Sequence, residues 1–389
     1  MNKSQKKFLF ELLSQPSAPF REQAVLDVVQ SLLRRRKIPH FIDPVGNLVV
    51  GVNNREQYAK LVNAKSREPV RMYIAHMDHP GFHGQQWLGP KRLQVNWLGG
   101  SPTRFLSGAT VWLAMDADYV ATGIMRKPKL NSTRRFLQSA EVQLESDELY
   151  RKYPSASLVY GGMKFRKPAW QSGKKIYTRA ADDLVGVYSI VQTALSLFAT
   201  NKRPGSRPFI GLITRGEEVG FVGAVGHFEL GWLEKTSRKV IAVSLEASRT
   251  LPGAEIGKGP VLRLGDWRTV FSPGGLKVLA DLGQKLLKGR HQRRLMDGGS
   301  CEASAAIAWG LETIGMSVPL GNYHNQSLEG GPDSRGANGP APEFVHIDDI
   351  DGMVRMCRGL MTPGLAWHDP WGDQRTRLRK NRKNYQRLL

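Results

Sequence analysis

The feature that most constrains this chain is a set of short, almost wholly apolar runs of strand length, each ending in residues able to do chemistry. Val70 to Ala75 ends at His76-Met77-Asp78, and Pro208 to Thr214 ends at Arg215-Gly216-Glu217-Glu218. Val240 to Leu245 ends at Glu246, and Ile314 to Leu320 leads into Asn322-Tyr323-His324. Lys174 to Thr178 runs into Ala180-Ala181-Asp182-Asp183, after which Leu184 to Phe198 carries a helical pattern. Strands that are apolar on both faces and alternate with helices require an α/β sheet covered on both sides. In such sheets the ligand crevice lies at the carboxyl ends of the strands. Taken singly, a strand-end histidine is more often an ordinary hydrogen-bonded residue and a glutamate pair a solvated face. Asp182-Asp183 ahead of Leu184 reads equally well as a helix N-cap. Recurrence of these residue types at five strand ends is what the bland readings leave unexplained.

Around this pattern the chain divides into three parts. Residues 1–37 read as amphipathic helices, with Phe8, Leu12, Val25, Val28, Val29, Leu32 and Leu33 at helical spacing. Ile42 to Asn47 form a turn before a strand at Leu48 to Val52. Residues 81–172 break the alternation with short, glycine-punctuated β-like stretches such as Ala109 to Ala114, Tyr119 to Met125 and Ala140 to Leu144. The predicted organisation is an α/β domain of residues 1–80 and 173–363, an inserted small β domain of residues 81–172, and a basic C-terminal tail of residues 364–389. Residues 374–389 carry seven basic side chains and no acid, which predicts a mobile tail.

The strand-end residues His76, Asp182, Glu217, Glu218, Glu246 and His324 are of the types that bind divalent transition metals through nitrogen and oxygen. Two imidazoles and three carboxylates suffice for two neighbouring ions when one carboxylate bridges, leaving one acid free to move protons. Asp78, two residues beyond His76, is placed to accept the other imidazole N–H and fix its tautomer. Gly216, Gly220 and Gly223 let the backbone turn sharply around the glutamate pair. Cys301 and Cys357 are the only cysteines and form no CxxC pair, which excludes a disulfide framework and a cysteine-based zinc site.

At these residues the chain resembles a known family, the dinuclear zinc aminopeptidases that assemble as tetrahedral shells, the deblocking and glutamyl aminopeptidase group of the zinc exopeptidase clan. The motifs are His76-Met77-Asp78-His79-Pro80-Gly81-Phe82, Ala181-Asp182-Asp183-Leu184-Val185-Gly186, Thr214-Arg215-Gly216-Glu217-Glu218-Val219-Gly220, Gly257-Lys258-Gly259-Pro260 and His324, with Gly46-Asn47 near the start. The long gap between His76 and Asp182 matches the place where this family inserts its β domain; the carboxypeptidase and deacylase branch places its extra domain after the glutamate pair. The resemblance implies a three-layer αβα zinc-exopeptidase fold and hydrolysis of N-terminal residues from short peptides. It implies two divalent ions, zinc foremost with cobalt or manganese as alternatives, bridged by Asp182. His76 and Glu246 would complete one ion, Glu218 and His324 the other, with Glu217 as general base, and the chain would be a homo-oligomer. The chain departs from the family pattern at Leu184, where arginine is usual, at His79-Pro80, and at Glu246, where aspartate is commoner. Gly299-Ser300-Cys301-Glu302-Ala303 also matches only loosely a Gly-Thr-Asp-Ala stretch.

Two other readings compete: a related amidohydrolase, either a carboxypeptidase or an N-acyl deacylase, and an inactive homologue that binds polyanions. The second is motivated by a formal charge of +22. Its clusters at Arg34 to Lys37, Arg126 to Arg135, Lys164 to Lys175, Lys285 to Arg294 and the tail lack the aromatic interleaving of a single-strand platform, and no nucleic-acid motif is present. Nucleic-acid binding is therefore possible from charge and not favoured. No stretch approaches the roughly 18 apolar residues that would span a bilayer. The expectation is a soluble, cytoplasmic enzyme with no membrane partner.

Overall fold

Alternating burial along the central strands decides the architecture. In a computed structural model of the chain, which describes residues 1–199 and 208–389, Tyr73 and Ala75 pack into one apolar cluster, while Met72 and Ile74 of the same strand pack into another on the opposite face. A sheet apolar on both sides must be covered on both sides, and helices do this.

The chain opens with α1 (Lys3–Leu13), α2 (Gln23–Arg35), β1 (His40–Ile42), β2 (Leu48–Val50), α3 (Arg55–Val62) and β3 (Val70–His76). Strands β4 (Gly81–Gly89), β5 (Arg92–Leu98), β6 (Thr110–Met115), β7 (Asp118–Leu130), β8 (Leu137–Leu144) and β9 (Val159–Met163) follow, with α4 (Glu148–Lys152) between the last two. Next come β10 (Ala169–Ser172), β11 (Lys175–Thr178), α5 (Leu184–Phe198), β12 (Phe209–Thr214), α6 (Val222–Glu229), β13 (Val240–Arg249), β14 (Val261–Asp266) and α7 (Pro273–Leu287). The chain ends with β15 (Gln292–Met296), α8 (Glu302–Ala308), β16 (Glu312–Leu320), β17 (Glu343–His346), α9 (Ile347–Leu360) and α10 (Gly372–Asn384).

The main sheet runs β1-β2-β12-β3-β13-β16-β14-β15. Its four central strands, β12, β3, β13 and β16, are mutually parallel, whereas β2 and β14 join them antiparallel. Residues of α1, α2, α5, α7 and α9 fill one face and residues of α3, α6 and α8 the other, giving three layers. Each fully buried Leu, Ile or Val in these clusters contributes about 1.5–3 kcal/mol. The Tyr73 hydroxyl donates to the Cys357 carbonyl at 2.7 Å and so ties the middle of the sheet to α9.

Strands β4 to β9 close into a six-stranded barrel in the order β4-β5-β8-β7-β6-β9, with its own core around Phe82, Leu93, Val111, Leu113, Met125 and Val142. The barrel leaves the sheet directly after His76 and Asp78, so its rim stands over the carboxyl ends of the strands.

One sequence expectation is corrected. Lys174 to Thr178 was grouped with the parallel strands, but β11 pairs antiparallel with β10 and β17 in a separate three-stranded sheet. An aromatic ladder sets that pairing: Trp170 stacks on Tyr177 at 5.3 Å and Tyr177 on Phe344 at 5.4 Å. The basic C-terminal residues form the helix α10, which has no buried residue; Asp373 in its first turn and Arg382 and Lys383 in its last complement the helix dipole. Among the described residues no helix is long and apolar enough to cross a membrane.

Candidate metal centre

Because the four central strands are parallel, their carboxyl ends lie on one edge, and each delivers a polar side chain there. His76 is the last residue of β3. Beyond β12, Gly216 (φ 59°) and Gly220 (φ 110°) bracket a single 3-10 turn, Glu217–Val219, which presents both glutamates. Gly223 was expected to turn the chain in the same way, but it lies within α6 and serves close approach: a Cβ there would meet the Arg215 carbonyl oxygen and Asn47 Oδ1 at 2.5 Å each. Asn47, fully buried, accepts from the Arg215 N–H at 3.3 Å and donates to the Gly223 carbonyl at 2.9 Å, which pins this turn.

Glu246 lies within β13 opposite Ser317 of β16. His324 follows β16 on a segment where Asn322, His324 and Asn325 all have positive φ, a conformation costing roughly 1–3 kcal/mol per residue and characteristic of functional loops. The fifth approach comes from the small sheet, through β11 into Asp182. Asp183, not Asp182, caps α5, accepting from the Gly186 N–H at 3.0 Å. The adjacent aspartates thus divide the two readings between them.

All seven residues singled out in the sequence meet here. His76 Nε2 is 3.6 Å from Asp182 Oδ1 and 3.7 Å from Glu217 Oε2. His324 Nε2 is 3.2 Å from Glu218 Oε2 and 3.7 Å from Asp182 Oδ2. Potential ligand atoms of His76, Asp182 and Glu246 lie within 4.8 Å of one another, as do those of Asp182, Glu218 and His324 and those of His76, Glu217 and Glu218; Asp182 is shared by the first two groups.

Asp78 differs from expectation in detail. The His76 Nδ1–H donates to the backbone carbonyl of Asp78 at 3.0 Å. The Asp78 carboxylate instead accepts from the backbone N–H groups of Glu217 and Glu218 at 3.0 and 3.1 Å. Its side chain is therefore committed to holding the glutamate turn, while its main chain fixes the imidazole with Nε2 aimed into the cluster.

The electrostatics are those of acids crowded out of water. Burial pushes Glu246 up to about 8, with Asp182 adding to the rise and Arg263 opposing it. Burial likewise pushes Glu217 well up, with Glu246 and Glu218 adding to it and His76 opposing. Burial alone would keep His76 neutral, but the carboxylates of Glu217, Asp182 and Asp78 outweigh it and raise the imidazole well above its ordinary value.

The decisive observation is what these groups lack. His76 Nε2, Asp182 Oδ1, Glu218 Oε1 and Glu246 Oε1 are all buried without a hydrogen-bond partner. A buried polar atom left unpaired costs about 1–3 kcal/mol, and four converge on one spot. The donor set, imidazole nitrogen plus carboxylate oxygen with an outer partner fixing His76, fits divalent transition ions.

Several residues that shape the site escaped the sequence reading. Glu343, buried at the start of β17, accepts from the backbone N–H groups of Ala181 (2.7 Å), Asp182 (3.2 Å) and His324 (2.9 Å), so one carboxylate sets two of the approaching loops. Because β17 runs antiparallel to its neighbour β11, Glu343 comes before its apolar run, where a search of strand ends does not look. His79, noted only as a departure, donates from Nδ1 to the Asp182 carbonyl at 2.9 Å and is kept neutral by burial. Glu302 is buried against Thr214 and raised to about 7 by burial. Leu184, the other departure, packs wholly into the core. Gly100, on the barrel rim, has no room for any side chain, since a Cβ would stand 1.8 Å from His324 Nδ1.

Beside the cluster opens a cavity of about 310 Å³ that includes Asp182, Glu217, Glu246, Arg263, Cys301 and Tyr323 in its walls. Arg263 is buried, with Nε and Nη1 unpaired and no carboxylate within ion-pair distance among the described residues.

Comparison with known proteins gives this arrangement its family. No curated protein matches the sequence. Among solved structures, the TET1 peptidase of Pyrococcus horikoshii superposes with a TM-score of 0.68 at 20% identity, over 92% of this chain and 99% of that one. A TET aminopeptidase from a marine sediment Thaumarchaeota archaeon gives 0.71 at 17% identity, over 93% and 98%. An aminopeptidase from the archaeon Desulfurococcus kamchatkensis gives 0.70 at 19%, over 94% and 97%. At these identities the likeness establishes the fold. The sequence profile of the M42 glutamyl aminopeptidases matches residues 58–329, from α3 to the loop beyond His324, and this chain belongs to that peptidase family.

Proposed function

We propose that this protein is an aminopeptidase working with two divalent metal ions, most simply zinc. Asp182 would bridge them, His76 and Glu246 would complete one and Glu218 and His324 the other. The single observation carrying this reading is the convergence of four partnerless buried ligand atoms on a site where two three-residue groups share Asp182. When bound, such ions acidify a water molecule and polarise the scissile carbonyl.

The chain's own residues supply the rest. Glu217, which also lies within reach of His76 and Glu218 but is left over once the two groups that share Asp182 are filled, accepts the proton of the attacking water and returns it to the leaving amine. A raised carboxyl suits that task, because a base poised nearer neutrality can both take and release a proton. Asp78 keeps Glu217 and Glu218 in register through their backbone N–H groups, and Glu343 holds Asp182 and His324 in place.

The substrate's first side chain would enter the cavity beside Glu246. Arg263 offers it a buried guanidinium whose Nε and Nη1 have no partner, which favours a carboxylate, in keeping with the glutamyl aminopeptidase of the family's description. TET1 peptidase of Pyrococcus horikoshii assembles into a tetrahedron or an octahedral shell; a homo-oligomer is proposed here too, and light scattering showing only a 43 kDa particle would refute it.

Metal analysis of the purified protein is expected to find two divalent ions per chain. Glu217→Gln is expected to lower kcat by about 10²–10⁴-fold with metal content kept; undiminished turnover would overturn the mechanism. Arg263→Gln is expected to lower kcat/KM for peptides beginning with glutamate by about 10–100-fold while sparing neutral ones, since a hydrogen bond to a charged group contributes about 1.5–3 kcal/mol. Activity confined to N-blocked peptides would instead favour an amidohydrolase of the deacylase kind.

A further inference from the structure

Away from the acidic cluster, where the barrel meets the segment leading to β11, the chain buries a cation with no anion to answer it. Arg179 is 6% exposed. Its guanidinium lies against the faces of Trp112 and Tyr119, at 5.0 and 4.8 Å from the ring centres. Only Nη2 is used in hydrogen bonding, to the Ser14 carbonyl at 3.0 Å and to the Tyr119 hydroxyl. Nε and Nη1 have no acceptor among the described residues, and no carboxylate lies within 4.0 Å to form an ion pair. Burial unrelieved by any acid pulls Arg179 down to about 9. A clamp between the barrel and α1 would need Nη2 alone; the remaining donors are surplus to it.

Arg179 also forms part of the wall of a cavity of about 210 Å³ lined by Trp112, Tyr119, Phe165 and the further cations Lys164, Arg166 and Lys167, with no acidic residue in its wall. Arg166 is engaged by Asp333 at 2.6 Å, but Lys164 and Lys167 are exposed and make no ion pair among the described residues. The volume falls below the roughly 300–1,000 Å³ of a drug-sized ligand site, so the occupant is small. Three cations without a counter-ion among the described residues line one space with no acid in its wall, which selects negative charge, and the guanidinium's planar fork matches an oxyanion.

We propose that this cavity is a binding site for a small oxyanion, a phosphate or a compact carboxylate, anchored by Arg179 with Lys164 and Lys167 at its mouth. It is separate from the proposed metal centre yet wired to it. Arg179 precedes Asp182 on the same loop, and its carbonyl accepts from Asn325 Nδ2 at 2.9 Å, beside His324. Occupancy would tie together the barrel, α1 and the loop that carries Asp182.

The test is thermal unfolding of the full-length protein titrated with inorganic phosphate and, separately, with succinate, at constant ionic strength set by chloride. A saturable rise of about 2–4 °C is expected with at least one of the two, phosphate alone or succinate alone telling which oxyanion the site takes. The exposed pair Lys164→Ala/Lys167→Ala is expected to keep the anion-free midpoint and to weaken the response about tenfold in concentration. Arg179→Lys, which keeps the charge and loses the fork, is expected to weaken it as well. No saturable rise with either anion overturns the proposal. So does a rise unchanged in the Lys164/Lys167 variant, which would mean adsorption to the basic surface, or one abolished by His76→Ala, which would place the anion at the metal centre.

Discussion

Two buried clusters among the described residues are built from the same materials, and of these two one is unfinished. Around His227, Nδ1 contacts Asp43 Oδ2 at 2.8 Å and Nε2 contacts the Tyr58 hydroxyl at 3.1 Å. The other Asp43 oxygen accepts from the backbone N–H groups of Val45 and Asn47, each at 2.9 Å, and Asn47 Nδ2 also donates to Oδ2. Every polar atom of that cluster has a partner. Around His76 the distances between groups are 3.6–3.7 Å and four atoms have none. Burial raises Glu246 and Glu217; it would raise Asp43 too, but hydrogen bonds from His227 and Asn47 overcome it and hold the carboxyl below its ordinary range. A satisfied polar network is a brace, whereas an unsatisfied one is a socket.

The sharpest way to break this contrast is to neutralise one acid in each cluster. Asp182→Asn is expected to abolish measurable hydrolysis and to lose bound metal, the largest effect anticipated here. After chelation, however, the variant is expected to be at least as stable as chelated wild type, because one of several mutually repelling buried carboxylates has gone. Asp43→Asn is expected to cost about 1–3 kcal/mol in stability, through donors left facing an amide, with metal content unchanged. Denaturant titration and metal analysis of both variants decide; a strong destabilisation of chelated Asp182→Asn would show that its carboxylate braces the fold.

A smaller effect probes how far the barrel belongs to the site. Gly100→Ala puts a methyl group where His324 Nδ1 stands. Overpacking of this kind costs about 1–3 kcal/mol, and here the imidazole is what must yield. Weaker metal retention with little loss of barrel stability is expected in equilibrium dialysis. Full retention would mean that the rim moves instead and that His324 is held from its own loop.

How much of this was legible in the sequence follows from geometry. His76, Glu217, Glu218 and Glu246 sit at or just past the ends of parallel strands, so a pattern local to each run, apolar then polar, reveals them. His324 and Asp182 were found by the same rule, although Asp182 arrives from a strand outside the main sheet. Glu343 was missed because its strand runs the other way, and His79 because a motif departure reads as a loss rather than as a new hydrogen bond to the Asp182 carbonyl. Arg263 and Arg179 are ordinary basic residues in a chain of net charge +22; only burial without a counter-ion separates them from the solvated majority, and burial is tertiary information. The Asp43–His227–Tyr58 cluster shows the converse hazard, since its residue types alone would pass for a metal site.

The least conspicuous difference between the clusters is the sign of their pH dependence. Glu246 in the folded chain is at about 8 against an ordinary value of 4.5, so the folded state holds a proton that the unfolded state has released. Its contribution to stability is fully present below about pH 4.5 and is lost as the pH rises towards 8; His76, also raised, acts in the same direction. Asp43 is lowered, so its contribution is present above the ordinary aspartate value of 3.8 and is lost as the pH falls through its folded value. Chelated protein is therefore expected to lose stability gradually between about pH 4.5 and 8, and Glu246→Gln is expected to flatten that slope. Asp43→Asn should leave the slope intact and blunt only the loss at acid pH. Added zinc should reverse the slope, because metal ligands must shed protons to bind and the ion competes better as the pH rises. Thermal melts across this range for the three proteins, with and without zinc, check each limb. A slope surviving in Glu246→Gln would place the crowded charge elsewhere in the cluster, with Glu217 and its neighbour Glu302 the next carboxylates to neutralise.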